Sequence, residues 1–183
     1  MRSSAIWVGV ASAAVMALGA CGSSAPGATS GPSAAGSGAQ LGMRPPTPTC
    51  PAAAMVGSVL GLTLDAPQVM PTPANPGDTV SNAFCVYQVL NREPGKSSSA
   101  SIAIKKGVPS GEYAAVKQNL ANKGTALTDV SDVGDAAGFL TTEGPTEPNV
   151  NLIVQKGDVL VGIVTGQPLQ QAITLAKMLI TMY

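Results

Sequence analysis

The chain has 183 residues, with 10 basic and 10 acidic side chains and no histidine. Without histidine there is no Ser-His-Asp triad, and both the usual general base near neutral pH and the commonest zinc ligand are missing. The basic residues form no cluster, so the composition also argues against a nucleic-acid partner, which needs a concentrated positive surface.

Residues 1–20 have the pattern of a signal peptide, with a basic start, an apolar core and small residues before a cleavage site. The apolar core, Ala5 to Leu18, is shorter than the about 20 residues that a membrane-spanning helix needs. Cys21 directly follows Gly19 and Ala20, and this arrangement resembles the lipobox of bacterial lipoproteins. There the cysteine receives a diacylglyceryl group and becomes the first residue of the mature chain.

The sequence therefore predicts a lipoprotein signal peptide over residues 1–20 and a lipid anchor on Cys21. Two acyl chains suffice for stable anchoring without a membrane-spanning helix. The predicted location is the cell membrane, on its extracytoplasmic face. An ordinary signal peptide followed by a chance cysteine is the alternative.

Residues 21–48 are almost entirely Gly, Ser, Ala, Pro and Thr, and they show no apolar periodicity. Such a composition cannot bury enough apolar surface to offset the entropy of ordering. It predicts a disordered tether that separates the membrane anchor from the rest of the chain. Residues 49–183 are then expected to form a single globular domain.

Two cysteines remain in that domain, Cys50 and Cys85. In an oxidising compartment outside the cytoplasm a disulfide is the default expectation for such a pair. A metal site or a reactive thiol pair is the alternative. Two cysteines without a histidine are poorly suited to both. We predict no cofactor and no metal.

Hydrophobic periodicity over residues 49–183 predicts helices alternating with pairs of strands. Prolines at positions 67, 71, 73 and 76 predict an extended loop over residues 66–78. The predicted helices are 51–60, 111–123 and 168–180, and the predicted strands are 83–90, 99–106, 137–142, 150–155 and 158–164. Because tight turns join the strand pairs, we predict an α+β fold. It has an antiparallel sheet of about five strands covered by two or three helices, with one disulfide.

The last predicted helix carries two apolar stripes. Leu169, Ile173, Ala176 and Ile180 form one stripe, and Leu175, Met178, Leu179 and Met182 form the other. One stripe must cover the sheet. The second is either buried as well or forms a binding face for a protein or lipid partner, since methionine suits adaptable contacts.

The acidic residues offer weak candidates for chemistry. Asp129, Asp132 and Asp135 are three apart and could hold calcium, but their spacing does not match an EF-hand loop. They are better suited to shaping a turn around Gly134. Glu143 and Glu147 flank a Gly-Pro-Thr segment and are expected to be solvated charges. We identify no catalytic residue.

Four short motifs, followed by an apolar helix, carry a resemblance to a known family. They are "TCPAAAMVGSVLG" from Thr49, "FCVYQ" from Phe84, "DVGDAA" from Asp132 and "LIVQKGDVLVGIV" from Leu152. Their order resembles actinobacterial envelope lipoproteins of uncharacterised function, the DUF3558 family, although Val133 stands where leucine is commoner. In that family one cysteine opens the first helix and another lies in the first strand. The resemblance implies an envelope protein and carries over no catalytic residue.

Together these features predict a non-catalytic, lipid-anchored binding domain of the cell envelope. Its partner would be an envelope protein or an apolar, lipid-like small molecule. The alternative is an accessory subunit of a transporter or cell-wall assembly that has no ligand of its own. A ligand cavity between helix and sheet would be lined by Phe84, Val86, Ile102, Ile104, Val161 and Ile163.

Overall fold

The computed structural model describes residues 44–70, 72, 78–90, 92, 94, 96–144 and 147–183. The predicted signal peptide, Cys21 and most of the predicted tether lie outside the described residues. All the described residues belong to one compact unit, Gln40–Tyr183. Within them, no helix has the length and hydropathy needed to cross a membrane.

The described residues form three helices and a seven-stranded antiparallel sheet. The helices are α1 (Ala53–Leu60), α2 (Glu112–Asn122) and α3 (Leu169–Met182). The strands are β1 (Gln68–Met70), β2 (Ser81–Gln88), β3 (Ser99–Lys106), β4 (Thr128–Asp129), β5 (Ala136–Thr142), β6 (Asn149–Lys156) and β7 (Val159–Thr165). Their order in the sheet is β1-β2-β3-β7-β6-β5-β4.

The predicted α+β class, the antiparallel sheet and the disulfide are confirmed, but the predicted number of about five strands is wrong. The two additional strands, β1 and β4, lie at the two edges of the sheet. Both are short, and all of their residues are exposed. β1 lies inside the stretch predicted as a proline-rich loop. Neither strand has the alternation of buried and exposed residues from which a strand can be recognised in a sequence.

One face of the sheet, here called the inner face, is covered by α1 and α3. Residues paired directly across neighbouring antiparallel strands point to the same side of the sheet. One such row on the inner face is Cys85, Ile102, Ile163, Leu152 and Phe139. Its first four members are at most 1% exposed. This side of the sheet holds the larger part of the hydrophobic core.

The disulfide joins Cys50, just before α1, to Cys85 in β2, with the two Cα atoms 5.7 Å apart. Hydrogen bonds fasten the same segment to the sheet. The Tyr87 hydroxyl donates to the Pro51 carbonyl at 2.8 Å, and the Ser81 hydroxyl donates to the Pro46 carbonyl at 3.1 Å. Pro48 is buried. The folded domain therefore includes residues before its predicted start at residue 49.

The last helix is buried more deeply than an exposed second stripe would allow. Leu175 and Leu179 are 0% exposed, Met178 is half-buried and Met182 is 52% exposed. The prediction of a four-residue binding face is wrong for the two leucines, because α3 contacts α1 as well as β6 and β7. Burial on both sides, the alternative left open by the sequence, describes most of this helix.

Candidate functional site

The other face of the sheet, here called the open face, is only partly covered. Helix α2 packs on β6 there, and Tyr113, Leu127, Leu160 and Val108 form the buried centre of a second, smaller core. Val116 and Leu120 of α2 add to it from the helix side. This core occupies the half of the open face that contains β5 and β6.

Polar groups hold α2 in this position. The buried side chain of Gln155 accepts a hydrogen bond from the Tyr113 backbone N–H at 2.8 Å and donates one to the Pro109 carbonyl at 2.7 Å. The Tyr113 hydroxyl donates to Asp129 at 3.2 Å, and the Lys117 ammonium binds the same carboxylate at 2.6 and 2.7 Å. These groups fasten the helix to the sheet and are not left free for chemistry.

The electrostatics of this cluster follow from burial and charge. Burial, followed by the charge of Asp129, raises the pKa of Tyr113 to about 12. The hydrogen bond from Lys117 holds the pKa of the Asp129 carboxyl below its ordinary value. Tyr113 is therefore neutral and Asp129 ionised near neutral pH, which suits a structural ion pair and not a proton-transfer site.

The half of the open face formed by β1, β2, β3 and the end of β7 has no core built on it by the described residues. Met70 pairs with Phe84, and Phe84 pairs with Ala103. In the next row Val86 pairs with Ser101, which pairs with Val164. We call the apolar members of these rows the open patch: Met70, Phe84, Val86, Ala103 and Val164. None of them belongs to either core cluster.

The open patch is accessible to solvent and has a shallow floor. Met70 is 53% exposed and Val164 is 38% exposed, while Phe84 and Val86 are half-buried. Ser101, Ala103 and Gly162 form the floor. A Cβ placed on Gly162 would meet only the Ala103 side chain, at 3.7 Å. The patch thus has small residues at its centre and larger apolar side chains beside them.

Strand β1 extends this surface to the edge of the sheet. Among the residues that the structure describes, no strand pairs with its outer side. Its three residues are exposed. Met70 pairs with Phe84 on the open face, whereas Val69 pairs with Cys85 and points to the inner face. Natural proteins protect sheet edges by keeping the edge strand short and by placing proline there. β1 has both features, since it has three residues and lies between Pro67 and Pro71 in the sequence.

The six residues that could have lined a ligand cavity between helix and sheet do not share one site. Ile102, Ile104, Val161 and Ile163 lie on the inner face and are at most 1% exposed. Phe84 and Val86 lie on the open face, because alternate residues of a strand point to opposite sides. The six residues therefore cannot line one cavity, because the two sets face different layers of the molecule.

A cleft of about 770 Å³ lies at one end of the sheet, where four connections meet. These are the connections α1–β1, β2–β3, β5–β6 and β7–α3. We call it the loop-end cleft. It is lined by Gly61, Leu62, Thr63, Val89, Leu90, Arg92, Lys96, Ser97, Glu147, Pro148, Val150, Gly166, Gln167 and Pro168. The Lys96–Glu147 ion pair joins two of the loops. No sequence pattern indicates this site, because its residues are far apart in the chain.

The structure gives the candidate acidic residues separate surroundings. Asp129 is bound to Lys117, and one Asp135 carboxylate oxygen accepts a hydrogen bond from the Gly157 N–H at 2.7 Å. Asp132 has a φ of 62° in the turn before Gly134. Within the described part of the chain, no group of three His, Cys, Asp or Glu side chains could hold a metal ion. Glu143 is exposed, and Glu147 is paired with Lys96.

No family model, no curated protein and no solved structure matches this chain. The similarity to the DUF3558 lipoproteins stays a prediction from the four sequence motifs. What the chain does must therefore be inferred from its own residues, and the open patch is the candidate site with the strongest physical case.

Proposed function

We propose that this protein is a lipid-anchored, extracytoplasmic binding domain of the cell envelope that holds a protein partner on its open patch. The observation that carries the proposal is the open patch itself, an apolar area on a sheet face that neither core cluster reaches. Contiguous exposed apolar surface is uncommon on soluble monomers and marks interaction sites.

The shape of the open patch favours a protein over a small molecule. A small-molecule site usually encloses most of its ligand in a cleft or cavity. The surface over Ser101, Ala103 and Gly162 is open, because a Cβ on Gly162 would meet only the Ala103 side chain, and it continues to the exposed strand β1. An open apolar surface of this kind matches the centre of a protein interface.

The proposed role is non-catalytic. The chain has no histidine, and Tyr113 and Asp129 are already engaged in holding α2. The alternative function is that of an accessory subunit of a transporter or cell-wall assembly. Such a subunit would bind its partner through the same open patch, but the complex would be permanent.

The lipid anchor is tested at Cys21. The Cys21→Ala variant is expected to lose incorporation of labelled fatty acid and to appear in the soluble envelope fraction or the medium, because the acyl chains supply the membrane affinity. Metabolic labelling and fractionation measure both effects. Normal labelling and membrane retention of the variant would contradict the lipobox prediction.

The binding role is tested by placing a charge in the open patch. Val164→Lys is expected to stay within about 1 kcal/mol of the wild-type free energy of unfolding, because Val164 is 38% exposed. It should nevertheless abolish the partner contact, since an unpaired charge would be buried in the interface. Chemical cross-linking in intact cells, followed by detection of the protein, measures the amount of a discrete cross-linked complex.

Thr141→Lys is the matched control, because Thr141 is an exposed strand residue outside the open patch. It should keep the cross-linked complex at the wild-type level. If Val164→Lys forms the complex as well as Thr141→Lys does, the open patch is not the interface.

A further inference from the structure

The side chains around the open patch restrict the kind of protein that can bind there, an inference that rests on the function proposed above. The strand register identifies these side chains, because residues paired across neighbouring antiparallel strands point to the same side of the sheet. The register therefore defines the border of the patch as well as its apolar members.

The border of the open patch is polar, but it carries almost no charge. One border residue is charged, Lys105, which pairs with Asn82 across β2 and β3. The segment that follows β1, residues 71–77, has no charged residue in its sequence. The other border residues of the described strands have amide or hydroxyl side chains: Gln68, Asn82, Gln88, Ser99, Ser101 and Asn151.

Lys105 does not leave the border with an unpaired charge. Its ammonium lies 3.3 Å from a carboxylate oxygen of Glu112, the first residue of α2. The ion pair nearest in sequence to β3, Lys96 with Glu147, joins two connections at the loop end of the sheet and is also made within the chain. The described part of the border thus has no free charge with which to attract a charged partner.

A charged partner surface would lose its water on this patch without compensation. A charge removed from water needs an opposite charge or several hydrogen bonds in return. At the centre of the patch, Ser101 lies between Val86 and Val164 in the register, and neither valine side chain can supply them. Charge complementarity therefore favours an uncharged partner surface.

Uncharged polar groups of a partner can be satisfied at the border. The side chains of Gln68, Gln88 and Ser101 make no hydrogen bond with another described residue. Because an amide both donates and accepts hydrogen bonds, and a hydroxyl does the same, these side chains can bind neutral groups of either kind.

We propose that the open patch binds a protein surface without charge, which has an apolar centre and a border of amide, hydroxyl or backbone groups. The depletion of charged residues at the centres of protein interfaces is the general form of this match. A partner surface of one charge sign and a polysaccharide are the alternatives that the experiment distinguishes.

The test compares charges of opposite sign at the centre of the patch. Ser101→Glu and Ser101→Lys should each lower the yield of the cross-linked complex in intact cells at least about tenfold, since neither charge meets an opposite one. Gln68→Glu and Gln68→Lys repeat the comparison at an exposed border position, where substitution does not threaten folding, and both should lower the yield. Thr141→Glu and Thr141→Lys are the matched controls and should keep the wild-type yield.

A complex that one charge sign abolishes and the other preserves or strengthens would show a charged partner and overturn the proposal. Wild-type yields from all the Ser101 and Gln68 variants would overturn it as well. Mass spectrometry of the complex should identify peptides of a second protein, and a polysaccharide in its place would be a third contradiction.

Val164→Asn separates this inference from the proposed function. It places an uncharged polar group in the patch and should lower the yield several-fold whatever the charge of the partner. A complex unaffected by Val164→Asn would contradict the open patch as the interface. A complex that Val164→Asn weakens, but that responds oppositely to the two charges at Ser101, would contradict only the uncharged partner.

Discussion

Replacing both disulfide cysteines, Cys50→Ala with Cys85→Ala, should lower the free energy of unfolding by about 4 kcal/mol in the chain-entropy description of a cross-link. The two cysteines are 35 residues apart, so the bond removes much of the freedom of the unfolded chain. The bond also holds the segment before α1 against β2, where Tyr87 and Ser81 bind the same segment. Denaturant unfolding monitored by circular dichroism measures the loss.

Two comparisons make this prediction specific. The wild-type protein in a reducing agent should unfold at nearly the same lowered denaturant concentration as the double variant, apart from the small effect of the lost sulfur atoms. Cys21→Ala, which leaves the bond intact, should unfold as the wild type does. An unchanged unfolding midpoint after complete reduction would mean that the bond contributes little to the stability of the domain.

The second large effect is expected on α3. Leu179→Ala should lower the free energy of unfolding by about 2–5 kcal/mol, because it removes a fully buried side chain and leaves a cavity. Met182→Ala, three residues further along the same predicted stripe, should change it by only about 0.5 kcal/mol because Met182 is 52% exposed. Chemical denaturation of the two variants side by side gives both values.

If Leu179→Ala hardly changes the free energy of unfolding, Leu179 is not buried in the core, and α3 is an exposed binding helix instead. The contrast between the two variants matters more than either value, since both residues belong to the stripe that the sequence could assign either to the core or to a partner. Equal effects of the two substitutions would contradict the burial described for this helix.

The sequence predicted the elements with strong internal patterns. Ser99–Lys106 alternates buried Ile102 and Ile104 with more exposed residues, and it is a strand with that pattern of burial. Gly61 and Gly157, placed at the end of a helix and in a hairpin turn, have positive φ values of 67° and 56° there. The Cys50–Cys85 pairing was predicted from an expected oxidising compartment and from the two cysteines left after Cys21, and the structure contains it.

The sequence could not predict features that depend on which helices and strands pack against each other. The edge strands β1 and β4 have two or three exposed residues each, so only their neighbours in the sheet define them. Leu175 and Leu179 are buried because α1 packs beside α3. The hydrophobic periodicity of α3 alone cannot predict that contact. The loop-end cleft likewise combines residues from Gly61 to Pro168.

The open patch left one signal in the sequence. The segment from Ala83 to Leu90 is apolar on both faces, which is typical of a strand covered on both sides. The helix available for its second face, α2, packs on β6 instead. Phe84 and Val86 are consequently apolar without belonging to a core. Because none of the three helices in the described residues covers this face, we propose that a partner does.

Methionine oxidation in intact cells tests this account most directly. Met70 in the open patch is 53% exposed and Met182 at the end of α3 is 52% exposed, so each molecule carries its own control. Hydrogen peroxide should convert both to the sulfoxide at similar rates in the purified protein. In intact cells Met70 should react several times more slowly than Met182, as read by mass spectrometry of the peptides. Equal rates in cells would mean that nothing covers the open patch there.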